Sequence, residues 1–543
     1  MKKNTLLALS FSLLSLLLLS CTNSTSIQTG TLAGKINLEG QSDHSGIVIG
    51  IYELAELDTD IVEANQKWPH IGVKINQHTE FDHRFGTLVK TGETDASGYF
   101  EINDIPTGIY NVVAIKNGFG FRYIYEISIS DGDNSLSTLM KQSPLNDNYK
   151  ETDRNFEMNS EKCKISQLAD KLNNESSSSP HYSLSIIHYS LDSKNKVAKA
   201  DLILYPENII TSDINEATTF ESYHHYIIEQ DIVVDDELTI QTGVVIRVSQ
   251  GKEITSYGSI NAIGEHENFI WFTKNDAFSE NLNTIEPDSN YIWDRVTLEP
   301  LSQAQIQWCK FDWVNIGLIN HINGFEITDC IFRDSNCGFK AESVDSTLCN
   351  NLFCIDINSD SDASITFIGV ANGFIKKNII IRSKNGQIIK DNSNPQIINN
   401  YIKHCDVGLD ISYGSTPIVR NNDISDCEIN IYCQYNSSSE IKRNNCSGRN
   451  CIIGRGCSSS DLIVQWNNLN CNEYAIKSVP HGTTTPYPTD IDAINNFFFS
   501  VDQADIQEMI YDKNNVPEPD KPYTGIIYCI PYLTQEYNQA GIQ

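Results

Sequence analysis

The chain has 543 residues and carries 39 Lys+Arg against 70 Asp+Glu, a net charge of −31 at neutral pH. That length excludes one small domain, and that charge excludes nucleic acid as a partner, because phosphates need clustered cations. Only 40% of residues are hydrophobic, and the abundance of Asn, Ser, Thr and Gly predicts short strands and polar turns rather than packed helices.

Residues 1–20 read as an export signal. Met1-Lys2-Lys3 is cationic, and Leu6 to Leu19 is apolar and uncharged. It falls short of the ~20 apolar residues a membrane span needs. The run Leu18-Leu19-Ser20-Cys21 resembles the bacterial lipobox. That resemblance implies that Cys21 is acylated and opens the mature chain. Residues 21–28 form a polar tether. Thr rather than Asp at 22 implies outer-membrane sorting. The expected address is therefore the cell envelope, with a membrane as partner through the lipid, facing the periplasm or the medium.

Residues 29–140 alternate short strands with turn residues. Thr94-Asp95-Ala96-Ser97-Gly98-Tyr99-Phe100 reads as a tight hairpin, and Ile105-Pro106-Thr107-Gly108-Ile109-Tyr110 follows it. These runs resemble the carboxypeptidase regulatory-like (transthyretin-like) domain. The resemblance implies a β-sandwich that serves as a non-catalytic spacer. Glu53 to Lys90 departs from that family as an insertion. Residues 141–197 are a polar linker, with one short helix expected at Cys163–Leu172.

The C-terminal half repeats itself. Asn351, Asn378, Asn400, Asn422, Asn444 and Asn467 each sit three after and two before an apolar residue, and a looser copy falls at Asn495. The steps are 27, 22, 22, 22, 23 and 28 residues. A second apolar group follows at Val407/Leu409, Ile429/Ile431, Cys451/Ile453 and Tyr474/Ile476. A period near 22 suits one coil of a solenoid made of about three short strands. Stacked coils place the Asn side chains in a ladder, as in stacked fibril strands. The pattern resembles right-handed parallel β-helix proteins of the pectate-lyase-like superfold, over residues 198–533, with a tail at 534–543. The predicted fold class is thus all-β: an N-terminal transthyretin-like sandwich, then a right-handed parallel β-helix.

Fifteen cysteines are present and no CxxC pair, which argues against a zinc ribbon. Cys433, Cys446 and Cys451 replace aliphatic residues in the repeat and read as core. Cys405 and Cys427 share a coil position, within reach of a disulfide.

Polar residues also stack. Four residues past the ladder Asn stand Arg382, His404 and Asp426; six past it stand Asp406 and Glu428. As a catalytic set, His404 is a base oriented by Asp426, and Arg382 neutralises a uronate. Asp406 and Glu428 share a proton or hold Ca²⁺, the one cofactor this reading suggests. A solvated polar edge explains the same residues without chemistry. His481–Asp490 is the fallback loop for a site. Tyr413, Tyr432, Tyr435 and Trp466 offer flat faces for sugar rings or cap coil corners. No GHG or RIK run, polygalacturonase NTD/DD signature or Arg-rich lyase strand is present. A copper-binding β-helix is opposed by only four Met and by unclustered His. The expectation is a lipid-anchored protein that binds glycans or mediates adhesion, with a polysaccharide lyase or glycoside hydrolase of divergent site as the alternative.

Overall fold

The computed structural model describes residues 28–130, 197–355, 363–457, 462–479, 489–517 and 524–543. Cys21, the tether, the linker, its expected helix and most of the 481–490 loop lie outside them.

The N-terminal module is built from β1 (Thr29–Leu38), β2 (Val48–Tyr52), α1 (Thr59–Lys67), α2 (Gln77–Glu80), β3 (Leu88–Glu93), β4 (Tyr99–Pro106), β5 (Gly108–Lys116) and β6 (Gly120–Ile129). One sheet is ordered β3-β2-β5-β6. The other is ordered β4-β1-β7, where β7 is Val197–Leu204. Ile36, Ile49, Ile51, Phe100, Val112 and Leu204 close one core between them. The expected boundary at 198 needs correction. β7 pairs in parallel with β1, so the chain returns to the sandwich after the linker. The solenoid begins at β8 (Glu207–Ile210), which pairs with His225–Ile228.

The rest is a parallel β-solenoid with three faces. The docking sheet holds strands such as Ile331–Arg333, Ile379–Ile381 and Tyr401–Lys403; the front sheet holds Asn385–Lys390 and Val407–Ile411; a separate back sheet of thirteen strands holds Gln396–Ile398 and Ile418–Arg420. Inside, alternate residues stack by type. The rings of Phe272, Phe311, Phe332 and Phe353 lie 4.7, 5.0 and 4.9 Å apart and nearly parallel.

The Asn ladder forms the turn from back to docking sheet. Asn351, Asn378, Asn400, Asn422, Asn444 and Asn467 are all fully buried. Asn422 Oδ1 accepts from the Asn400 backbone N–H at 2.9 Å and from its side-chain amide at 3.0 Å. Asn422 Nδ2 donates in turn to Ile397 O, Arg420 O and Asn444 Oδ1. The residue before each ladder Asn is left-handed: Asn399 has φ 57°, Asn421 56° and Arg443 58°. This geometry corrects the last step. Asn495 is the left-handed residue (φ 60°), and Asn496 carries the ladder, accepting from Asn467 N–H at 2.9 Å. Phe498, not Phe497, is therefore the core residue. A register shift after Cys446 likewise puts Ile452 opposite Ile431 in the core and Ile453 opposite Tyr432 on the outward side, not Ile453 inside as the repeat predicts.

The module does not stand off as a spacer; it lies along the docking sheet. Ile61, Ala64, Trp68, Ile71 and Val73 from the insertion pack on Ile331, Leu352, Ile379, Ile381 and Tyr401. These outward residues are apolar because the sheet is covered on both sides, which parallel sheets generally require. Gly72 sits close: its N–H donates to Lys377 O at 2.8 Å, its φ is +60°, and a Cβ there would fall 2.5 Å from Ile379.

Candidate functional site

The stacked polar corner forms as its spacing predicts. Lys403 pairs with Ser425 in the parallel register, so His404 and Asp426 stand on adjacent coils. Arg382, His404 and Asp426 all have positive φ, near 55°, which turns the chain from docking to front sheet. What covers that corner was not legible from the repeat. Asp58 and Asp60, at the start of α1, reach it from the insertion. Arg382 binds Asp58, and its Nη2 meets Asp60 at 3.0 Å. Lys403 Nζ meets Asp60 at 2.8 Å, and His404 Nε2 lies 3.3 Å from it. Burial opposes ionisation of both carboxyls, yet the Arg382 bond to Asp58 and the Lys403 bond to Asp60 hold them below the usual range. Asp58 also caps α1, accepting from Asp60 N and Ile61 N.

Arg382 and His404 thus face the carboxylates of the insertion, which compete for the uronate-clamp and base roles that their spacing suggests. Asp426 lies 3.6 Å from Lys403 Nζ rather than orienting His404. Glu428 is held by Arg449, which also takes Glu473 at 2.6 Å. Among the described residues no three His, Cys, Asp or Glu gather as a metal-holding group. Cys405 and Cys427 are free, buried thiols in hydrogen-bonding contact.

The front sheet holds the arrangement that the repeat arithmetic missed. Parallel register stacks Thr366, Ile388, Asp410, Tyr432, Ile453 and Lys477 as one outward column. Asp410 is at its centre. Gln434 Nε2 donates to its two oxygens at 3.0 and 3.3 Å. Burial pushes the Asp410 carboxyl up, against the pull of Gln434 and Lys390. One coil on, Arg455 Nη1 donates to the Tyr432 hydroxyl at 3.3 Å. At the strand ends the rings of Tyr413 and Tyr435 stack 4.9 Å apart at 16°, with Tyr413 54% exposed. A carboxyl, an amide, a phenol, two cations and an aromatic platform thus share one face of the solenoid. The signal for it was the second outward column, one residue after the apolar Leu409 and Ile431. Of the expected sugar-stacking residues, Trp466 is instead covered by the tail, its ring 5.3 Å from Tyr537.

Residues 281–482 match the family model described as “Periplasmic copper-binding protein (NosD)”. No curated protein matches the chain. Among solved structures, a double mutant of the periplasmic alginate epimerase AlgG is similar at 15% identity and TM-score 0.38, covering 58% of this chain and 78% of that one. The copper named in the family description needs clustered imidazole or sulfur donors. The described residues hold no such group, and most thiols are sealed in the core, so the donor set does not fit. The matched segment lies wholly within the solenoid, which is a parallel β-helix.

Proposed function

We propose that this is a cell-envelope protein that binds glycans on the front sheet of its solenoid. The observation that supports it is the Asp410–Tyr432–Gln434 cluster on the outward side of the front sheet, ending in the stacked Tyr413 and Tyr435. Aromatic faces take the apolar side of a sugar ring, while carboxyl and amide groups take its hydroxyls. The lipobox ending at Cys21 and the match to a periplasmic family model both favour the envelope. Anchoring by a lipid on Cys21, with sorting to the outer membrane, belongs to the same reading. A glycan array on the purified protein tests binding. A hit that survives both Asp410→Asn and Tyr435→Ala overturns the assignment of the face.

A second reading, a lyase or hydrolase, is favoured by the raised Asp410 pKa. A carboxyl that holds its proton nearer neutrality is suited to acid or base work. Assays for new reducing ends and unsaturated products distinguish it. Turnover that Asp410→Asn abolishes would replace binding by catalysis.

A further inference from the structure

Where the insertion meets the solenoid there is a cleft of about 580 Å³, within the usual range for ligand sites and at a domain junction, where such sites concentrate. One side comes from residues 53–56, 79–82 and 85–87, the other from Lys310, Asp312, Trp313, Arg333 and Asp334. Three observations say what it would hold.

The first is a platform. Phe85 is 50% exposed, yet its ring lies flat on Trp313, with centroids 5.1 Å apart and planes at 9°. Trp313 fixes the ring and leaves half of the Phe85 side chain exposed. The second is a pair of incomplete polar groups. Asp312 is 2% exposed. Its Oδ2 accepts from Trp271 Nε1 at 2.6 Å, but its buried Oδ1 has no partner. Arg333 Nη2 meets Glu80 at 2.7 Å, but its buried Nε–H has none. One of these needs a donor and the other an acceptor, and a hydroxyl group is both. The third is charge. The lining carries Glu53, Glu56, Glu80, Asp82, Asp312 and Asp334 against Lys310 and Arg333. An anionic sugar is repelled there. These acids do not cluster in threes, so a metal ion is not the occupant they suit.

We propose that this cleft binds an uncharged pyranose, with Phe85 beneath the ring and Asp312 and Arg333 on its hydroxyls. It shares no residue with the front-sheet face and stands whether or not that face binds glycan. The test titrates the full-length protein with glucose, galactose, N-acetylglucosamine and galacturonate. Saturation-transfer NMR and tryptophan fluorescence are the readouts. At least one uncharged sugar should bind saturably, and galacturonate at least ~10-fold more weakly. Phe85→Ala, a surface change that leaves the core intact, and Asp312→Asn should each weaken binding ~10-fold, the scale of one lost charge-assisted contact. Asp410→Asn should leave it unchanged. Failure of every uncharged sugar to bind overturns the proposal. So does undiminished affinity in both cleft variants, and loss of the same signal in Asp410→Asn would move the site to the front sheet.

Discussion

Asn422 shows how much one residue type in one column does. Its side chain completes hydrogen bonds of three successive coils. Asn422→Leu strands the Asn400 N–H and the Ile397 and Arg420 carbonyls in a dry turn. Each unsatisfied buried group costs ~1–3 kcal/mol, so the solenoid's melting temperature should fall by several degrees. An unchanged melting temperature would mean the ladder carries no stability. The ladder was readable because it repeats. Its last rung was not, since Asn495 and Asn496 are adjacent, and only backbone φ distinguishes the left-handed residue from the rung. Asp410 was missed for a related reason. Counting from the ladder reaches the corner before the front sheet, and the corner's charged residues draw notice first.

The insertion is the element that changes the reading of the corner. Its charges match the solenoid: Asp58 and Asp60 meet Arg382 and Lys403, and Glu80 meets Arg333. Apolar residues between these pairs do most of the docking, at ~1.5–3 kcal/mol for each large side chain buried. Gly72→Val should undock the insertion, because the branched side chain meets Ile379 in a left-handed backbone position. Hydrogen exchange should then rise at residues 58–75 and at the backbone of Ile379 and Tyr401, while the ladder stays protected. Exchange unchanged in both segments would contradict tight docking. One clue to this packing lay in the sequence: Ile379-Ile380-Ile381 is apolar on both faces of a strand, and an open sheet face does not need that.

Across the whole molecule, the junction contains buried neutral histidines. Burial holds His78 and His83 at about 4, against the opposing pull of Glu267 and Asp82 respectively. Burial also depresses His225, beside Arg247. An unfolded histidine titrates near 6.5. Between 6.5 and about 4 the undocked state therefore binds more protons than the docked one, and docking weakens as pH falls through that window. It is at full strength above 6.5, and His78 and His83 take no more from it below 4. Asp82, held at about 2 because Arg84 outweighs its burial, loses its contribution only below 3.8. Limited proteolysis of residues 53–90 should accelerate from pH 6.5 to 4, and His83→Gln should flatten part of that slope. A rate independent of pH would show that the histidines do not govern docking. Anchoring is tested at the same scale. Cys21→Ala should release the protein from membranes or leave it unprocessed, and continued acylation would exclude the lipobox.

The sequence by itself determined the solenoid, because a parallel stack makes local spacing and three-dimensional neighbourhood the same thing: residues about 22 apart must touch. It determined the stacking of His404 on Asp426 for the same reason, and the sandwich strands through turn chemistry. Only the tertiary structure decided what lies over each face. Asp58 and Asp60 reach Arg382 and Lys403 across more than 300 positions, and no periodicity links them. The return of β7 to the sandwich, the tail over Trp466 and the cleft between Phe85 and Arg333 are contacts of the same kind. They arise from the shape of two surfaces rather than from a pattern along one chain.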